Sequence, residues 1–445
     1  MLYSKQLNKM TDNIFTSRNR KTWADPNFWQ KVCPGLSIGG SAKTTSNNDS
    51  FLPRSDEADK RREQLVEDGY TLIDSKLDSS LIQKLLEGVK ALQGGKENIG
   101  AKLPASCILL FDETWELART SREILKRSTH EDNDFNFDIL SWYIETGGFS
   151  PHRDRQPENA STSFHPDGGQ AKFVTHWIAL SDAAPENSCL YVIPKSQDPG
   201  YTEGDIDDEE PLRRALPSKE SFQNIRALPR VSGSSLLFTS RIIHWGSARV
   251  PSSEMPPRAA ISFVCSDPTY EKPYIDLKYF TENENPPFHI RLLLVCSQLL
   301  IYYQRFGLPK ETIKACYEYC KEYEDELEET YRHKVFLEFV NSMKSFNGEE
   351  DMTSKQTSGK VEVSINDDDD KDDEDAVLEE MLNAEEGGYG EFQDDYDDVE
   401  DGEDEEEGAT SSRQDNENED YEDEEEEEEE GVSLFGPETK KLKTR

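Results

Sequence analysis

Between residues 139 and 267 the apolar positions fall into short, dense runs. They are ILSWYIE (139–145), KFVTHWIALSD (172–182), CLYVIP (189–194), SSLLFTS (234–240) and RAAISFVCSD (258–267), each bounded by Gly, Pro, Asn or Asp. β-Branched and aromatic residues punctuated in this way predict strands. Five or more of them with irregular loops predict a double-stranded β-helix, a jelly roll or cupin-like barrel. On either side the period becomes helical. Residues 56–74 read as a helix running into a short strand, and 78–95 as an amphipathic helix with Ser at its cap and Gly beyond its end. After Pro287 the helical period returns in RLLLVCSQLLIYYQRFG and continues from KETIKACYEYC to FLEFVNSM. The fold class expected is a β core with flanking helices.

Charge then divides the chain. Residues 349–445 hold 42 acidic and 8 basic side chains, whereas residues 1–348 hold 50 and 42. The net charge of −42 therefore describes a tail more than a fold. Runs such as DDDDKDDED repel themselves and bury too little apolar surface to offset the entropy of ordering. Three regions are expected: 1–50, largely disordered except for an aromatic stretch (23–38) able to dock; 51–348, the β-helix domain with its helices; and 349–445, a disordered acidic tail. In the tail, residues 375–384 have helical spacing and the end is basic. Such a tail repels nucleic acid and attracts basic proteins, so a basic protein partner is expected and direct nucleic-acid binding is not. No apolar leader opens the chain, no run reaches bilayer length, and the seven scattered cysteines form no framework. A reducing compartment, cytoplasmic or nuclear, is the expectation, with no membrane association.

The candidate chemistry lies in the histidines. His152-Arg153-Asp154 and His165-Pro166-Asp167 are both His-x-Asp pairs, and in extended chain residues i and i+2 face one way. Either pair can offer an imidazole and a carboxylate to one ion. His244, between an apolar strand and a Gly-Ser turn, offers a third donor. Two histidines and a carboxylate with open positions suit a non-haem Fe(II) oxygenase, although His244 equally fits a strand-end imidazole bonded to a carbonyl. In the strand beginning at Arg258, that residue shares a face with Ala260 and Ser262. An inward Arg requires an anion. The guanidinium with Ser262 as a further donor would hold the distal carboxylate of 2-oxoglutarate, while a salt bridge to a local acid is the plainer reading.

GYTLID, FDETWEL, GGFSPHRDRQ, WIALSDAAPENSCLYVIP, LLFTSRIIHWGSAR and PRAAISFVCSD together resemble the phytanoyl-CoA dioxygenase family, over roughly residues 60–345. The resemblance implies an Fe(II)- and 2-oxoglutarate-dependent dioxygenase acting on a small organic molecule. It implies His152, Asp154 and His244 as iron ligands, Arg258 as the 2-oxoglutarate clamp, and Trp177 as a secondary residue of the cosubstrate pocket. Three features depart from the family. Lys195-Ser196-Gln197 stands where Gly-Ser-His is common, His165/Asp167 competes with His152/Asp154, and the acidic tail has no counterpart. His152 is preferred because it closes a strand and Gly loop, whereas His165 sits in a Ser/Thr/Gly excursion. Retention of Asp154 points to hydroxylation or another oxidation and away from halogenation. The competing class is an inert oxygenase fold serving as a scaffold.

Overall fold

The computed structural model describes residues 14–39, 52–94, 102–156, 160–167, 169–205 and 211–346. These lie in the first of two compact units, residues 1–360 and 361–445. The expected acidic tail, its 375–384 island and its basic end fall outside the described residues.

Two antiparallel sheets face each other as a cupin-like core flanked by helices. The larger contains β1 (Tyr70–Ile73), β2 (Asp134–Phe135), β3 (Leu140–Ile144), β5 (Phe173–Ala179), β8 (Ser235–Thr239) and β10 (Arg258–Ser266). Its order is β1-β8-β5-β10-β2, with β3 also on β10. The smaller runs β4-β9-β6-β7, where β4 is Phe149–His152, β6 Leu190–Val192, β7 Arg226–Leu228 and β9 His244–Gly246. Between the sheets lie Trp177, Ala179, Leu190, Val192, Leu236, Phe238 and Ala260, all buried.

Both faces of the larger sheet are covered, so β5 is buried along its whole length and reads as a continuous run with little alternation. Its outer face meets a helix that periodicity did not reveal, α4 (Asp112–Ser128), which packs on β5 and β10. Ser121 of α4 sits 2.8 Å from His176 Nδ1, and the other ring nitrogen reaches Ser235 Oγ at 2.9 Å.

The earlier helices are α1 (Pro26–Val32), α2 (Ser55–Asp68) and α3 (Ser79–Leu92). α3 is capped by Asp78, not Ser: the Asp78 carboxylate accepts from the Ser80 and Leu81 amides at 2.8 and 3.0 Å. Residues 14–39, expected outside the domain apart from their aromatic stretch, pack on its body. Trp23 and Trp29 are fully buried, and Trp23 lies 5.5 Å from the Tyr319 ring. After Pro287 come α5 (Phe288–Ile301), α6 (Lys310–Glu322) and α7 (Glu329–Phe346), packed on one another. Among the described residues no helix is long and apolar enough to cross a membrane. All seven cysteines are buried and free.

Candidate metal centre

The site begins with a close approach that only glycine permits. A Cβ on Gly148 would stand 2.0 Å from the Gly246 carbonyl oxygen, and one on Gly246 would stand 2.7 Å from the Phe149 ring. With both absent, β4 and β9 pair and His152 falls directly opposite His244. Side chains of opposite residues share a face, and the two imidazole centroids are 4.4 Å apart.

His244 does not end an apolar strand, as its sequence context suggests. It opens β9, after the chain has crossed from one sheet to the other. Buried Arg241 pins that crossing by donating to the carbonyls of Gly200 at 2.6 Å and Tyr201 at 3.2 Å.

Asp154 completes the group. Its amide donates to the Ser240 carbonyl at 3.1 Å, and its Oδ2 accepts from the Thr175 hydroxyl at 3.1 Å. Oδ1 is left free, 3.7 Å from His152 Nε2 and 3.5 Å from His244 Nε2. One donor atom from each of the three residues lies within 4.8 Å of the others. Donors at right angles around an ion with bonds of about 2.1 Å stand about 3 Å apart, so the group needs only a slight contraction to ligate one.

The far side of each imidazole is fixed. His152 Nδ1 lies 2.8 Å from the Ser150 carbonyl and His244 Nδ1 3.3 Å from that of Ile242. Carbonyls only accept, so both Nδ1 atoms carry the proton and both Nε2 lone pairs face the gap. Burial pushes the His152 imidazole down to about 3, with His244 and Arg305 adding and Asp154 opposing. Burial likewise lowers His244. For Asp154, burial acts upward but is outweighed by the two imidazoles, Arg155 and the Thr175 bond, which hold the carboxyl below its usual range. Two neutral imidazoles and one carboxylate are the donor set of a divalent transition metal.

Arg258 supplies the second half of the site. It is 1% exposed, and none of its three guanidinium nitrogens has a hydrogen-bond partner. Phe149 and Trp177 flank it, their ring centroids 5.8 and 5.6 Å from its Cζ. Phe149 in turn lies 5.5 Å from the His152 ring, so one aromatic touches both halves. Burial lowers the Arg258 guanidinium to about 10, which leaves it cationic at neutral pH. A buried cation without a partner is costly, and aromatic faces recover only part of that cost. A carboxylate accepting two parallel bonds restores the rest. The residues therefore fit an iron ion on His152, Asp154 and His244, with 2-oxoglutarate on Arg258.

The remaining sequence candidates are placed as follows. Trp177 lies in the core and against Arg258. Ser262 stands opposite Trp177 on the neighbouring strand, its hydroxyl donating weakly to the Leu140 carbonyl at 3.4 Å. His165 and Asp167 do not converge. His165 Nε2 is 3.0 Å from Asn133 Oδ1, while Asp167 turns to His130 Nε2 at 3.1 Å. The His130 and His165 rings are stacked at 3.6 Å and 16°, so their in-plane lone pairs run side by side. Arg153 and Arg155, which flank Asp154, are engaged elsewhere. Arg153 donates to Asp198 at 2.6 Å and Asp205 at 2.8 Å, and Arg155 to Glu271 at 2.7 Å and Asp138 at 3.1 Å. Sequence reasoning missed Thr175 and Phe149. The one signal for Thr175 was a hydroxyl among apolar neighbours in β5.

A β-helix core thus brings together a His-Asp-His group that could hold a metal ion and a buried arginine without a partner. Residues 65–255 match the family model for phytanoyl-CoA dioxygenase (PhyH). The match includes His152, Asp154 and His244 but ends before Arg258. No curated protein sequence matches the chain significantly.

Among solved structures, the chain is similar to SnoN, a non-heme alpha ketoglutarate dependent epimerase from nogalamycin biosynthesis. Identity is 18%, covering 48% of this chain and 84% of that one, with TM-score 0.34. HygX from Streptomyces hygroscopicus, solved with nickel and 2-oxoglutarate bound, is 13% identical over 48% and 88% of the two chains, with TM-score 0.34. EctD from S. alaskensis with bound Fe is 15% identical over 48% and 79%, with TM-score 0.31. At these scores no residue role or substrate carries across.

Proposed function

We propose that this protein is an Fe(II)- and 2-oxoglutarate-dependent dioxygenase that hydroxylates a C–H bond of a small organic substrate, releasing succinate and carbon dioxide. The observation that carries the reading is the partnerless Arg258 guanidinium beside the His-Asp-His group. When bound, iron with 2-oxoglutarate supplies a two-electron oxidation by dioxygen, placing one oxygen atom in succinate and one in the substrate. The protein holds that chemistry in place. His152, Asp154 and His244 would take three positions around the ion and leave the others open. Thr175 and the carbonyls of Ser150 and Ile242 orient those ligands, so little reorganisation accompanies binding. Arg258 would anchor the distal carboxylate, and Phe149 and Trp177 exclude water around it. The free, buried thiols fit a reducing compartment, so the proposal includes a cytoplasmic or nuclear location. The inert-scaffold alternative finds no support in a site that keeps its donors and its clamp.

The test is succinate formation from 2-oxoglutarate by anaerobically loaded protein on admission of oxygen, without a prime substrate. Turnover is expected in wild type and in His165→Ala, and is expected to vanish in His152→Ala and Arg258→Ala. A well-folded wild type that retains no iron and makes no succinate would refute the reading.

A further inference from the structure

Asp154 is gripped from behind by the residue that follows it. Its own amide and that of Arg155 both donate to the Ser240 carbonyl, at 3.1 and 3.4 Å. Arg155 Nη1 folds back to donate to the Asp154 carbonyl at 2.9 Å. The rest of that guanidinium faces an acidic cluster. Nη2 lies 2.7 Å from Glu271 Oε1, 3.0 Å from the Tyr274 hydroxyl and 3.1 Å from Asp138 Oδ2. Nε donates to Glu271 Oε2, and Cζ lies 4.4 Å from the Phe173 ring centroid. A guanidinium with these partners is fixed, and so is the peptide it holds.

Among these partners Asp138 is the one that packing does not explain. It is buried, and it follows Phe137, whose φ of +71° lies in the left-handed region that a bulky side chain avoids. The neighbours impose that conformation. The Asn136 amide donates to the Val264 carbonyl at 3.0 Å, and its carbonyl accepts from the Tyr274 amide at 2.9 Å. The Phe137 ring is fully buried, 5.2 Å from that of Phe135 and 6.1 Å from that of Phe280. Backbone strain held in this way concentrates at functional sites. On its far side, Asp138 Oδ1 accepts from Gln298 Nε2 of α5 at 3.0 Å. Tyr274 is backed in turn by Tyr331 of α7, their rings stacked at 3.7 Å and 6°, and the Tyr331 hydroxyl lies 3.1 Å from that of Ser297 in α5. The helices after Pro287, beyond the matched residues 65–255, are thus joined to the Asp154 peptide by an unbroken chain of hydrogen bonds.

We propose that Asp138 is a positioning residue of the metal centre: with Gln298 behind it and Arg155 in front, it sets the direction of the Asp154 carboxylate. This inference rests on the reading of His152, Asp154 and His244 as metal ligands. Joining a helical layer to a sheet needs only apolar contact, and buried carboxylates around a guanidinium are at best near neutral for stability. What a bonded polar network of this kind does provide is a single geometry. Thr175 holds Asp154 Oδ2 and leaves Oδ1 to the ion, so a small rotation of the Asp154 peptide would turn Oδ1 away from the two imidazoles. Partners that orient a ligand in this way tune the affinity of the metal.

The test uses full-length protein and Co(II) alone, in wild type, Asp138→Asn, Gln298→Met and, as a control for the site, His152→Ala. Affinity is read by competition with a chromophoric chelator, and the geometry around the ion by the visible absorption of the saturated protein. Urea unfolding without metal reports stability separately. Wild type should bind Co(II), and His152→Ala should lose that binding. Asp138→Asn keeps the shape of the side chain and removes its charge. It should weaken binding about tenfold, the lower end of what supporting partners of a ligand contribute, and alter the absorption of the saturated protein. Gln298→Met removes the donor on the helical side and should shift both readouts in the same direction by less. Retention of either the wild-type affinity or the wild-type absorption by the folded variants overturns the proposal, whatever happens to the urea midpoint. Should Asp138→Asn not fold, Gln298→Met decides by the same two readouts. If wild type binds no Co(II), or binds it equally well without His152, the metal-centre reading fails and this inference fails with it. Binding that needs His152 but ignores Asp138 and Gln298 defeats this inference alone.

Discussion

Replacing Arg258 with Met should make the protein more stable and unable to bind 2-oxoglutarate, a pairing of effects that a structural arginine would not produce. The guanidinium is 1% exposed and without a hydrogen bond, and a buried ion of this kind is destabilising by several kcal/mol after relaxation. The rings of Trp177 and Phe149, 5.6 and 5.8 Å away, recover about 1–2 kcal/mol each when desolvated. Methionine keeps much of the volume and adapts to the gap. The free protein should therefore gain about 1–3 kcal/mol. The same change removes two charge-assisted bonds to the ligand, at about 1.5–3 kcal/mol each. Affinity for 2-oxoglutarate should fall by about 100-fold or more.

Urea unfolding of wild type and variant, with and without 2-oxoglutarate and with Mn(II) in place of iron, measures both effects. Wild type at 100 times its dissociation constant should gain about 2.7 kcal/mol from the ligand. Arg258→Met should start higher and gain almost nothing. A variant less stable than wild type whose ligand response is undiminished would refute the reasoning, because Arg258 would then have a protein partner and no role as a clamp.

Two further outcomes follow from the same geometry. Thr175→Val keeps the shape of β5 but frees Asp154 Oδ2 from its 3.1 Å bond. Divalent metal affinity, read by competition with a chromophoric chelator, should drop 10- to 100-fold, and an unchanged affinity would remove Thr175 from the site. His176, on the outer face of β5, has its imidazole pushed down to about 3, chiefly by burial and also by the charge of Arg61. The unfolded chain therefore binds this proton first, near pH 6.5. The stability linked to His176 is complete above that value and is lost as pH falls toward 3, at up to about 1.4 kcal/mol per pH unit. His176→Gln should flatten that part of the urea midpoint's pH profile, and an unchanged slope would show that the ring is already charged in the fold.

Local pattern carried much of this protein into view. The punctuated apolar runs are the strands β3, β5, β6, β8 and β10, because a strand covered on both faces needs little more than apolar, β-branched residues in succession. Alternation within the run 258–266 was enough to place Arg258, Ala260 and Ser262 on one face. Helix α4 was not legible. Its buried face includes Thr114, Thr120, Ser121 and Ser128, whose hydroxyls blur the apolar period; Ser121 finds its partner in His176 on the sheet and Thr114 in the Ile108 carbonyl.

Local context favoured His152, which closes a strand and Gly loop, over His165, but the two His-x-Asp pairs have the same spacing and local sequence does not show which one meets His244. That turns on Gly148 and Gly246, which let two strands almost 100 residues apart in sequence come together and set His152 opposite His244, while His165 stacks on His130. Loops carry no periodicity, so nothing near Phe306 announces that it stacks on Trp142 of β3. The sequence by itself determined the longer core strands, several of the helices and the kinds of donor present. The tertiary structure decided which donors meet, because ligation depends on distances of a few ångströms between residues whose separation along the chain has no bearing on them.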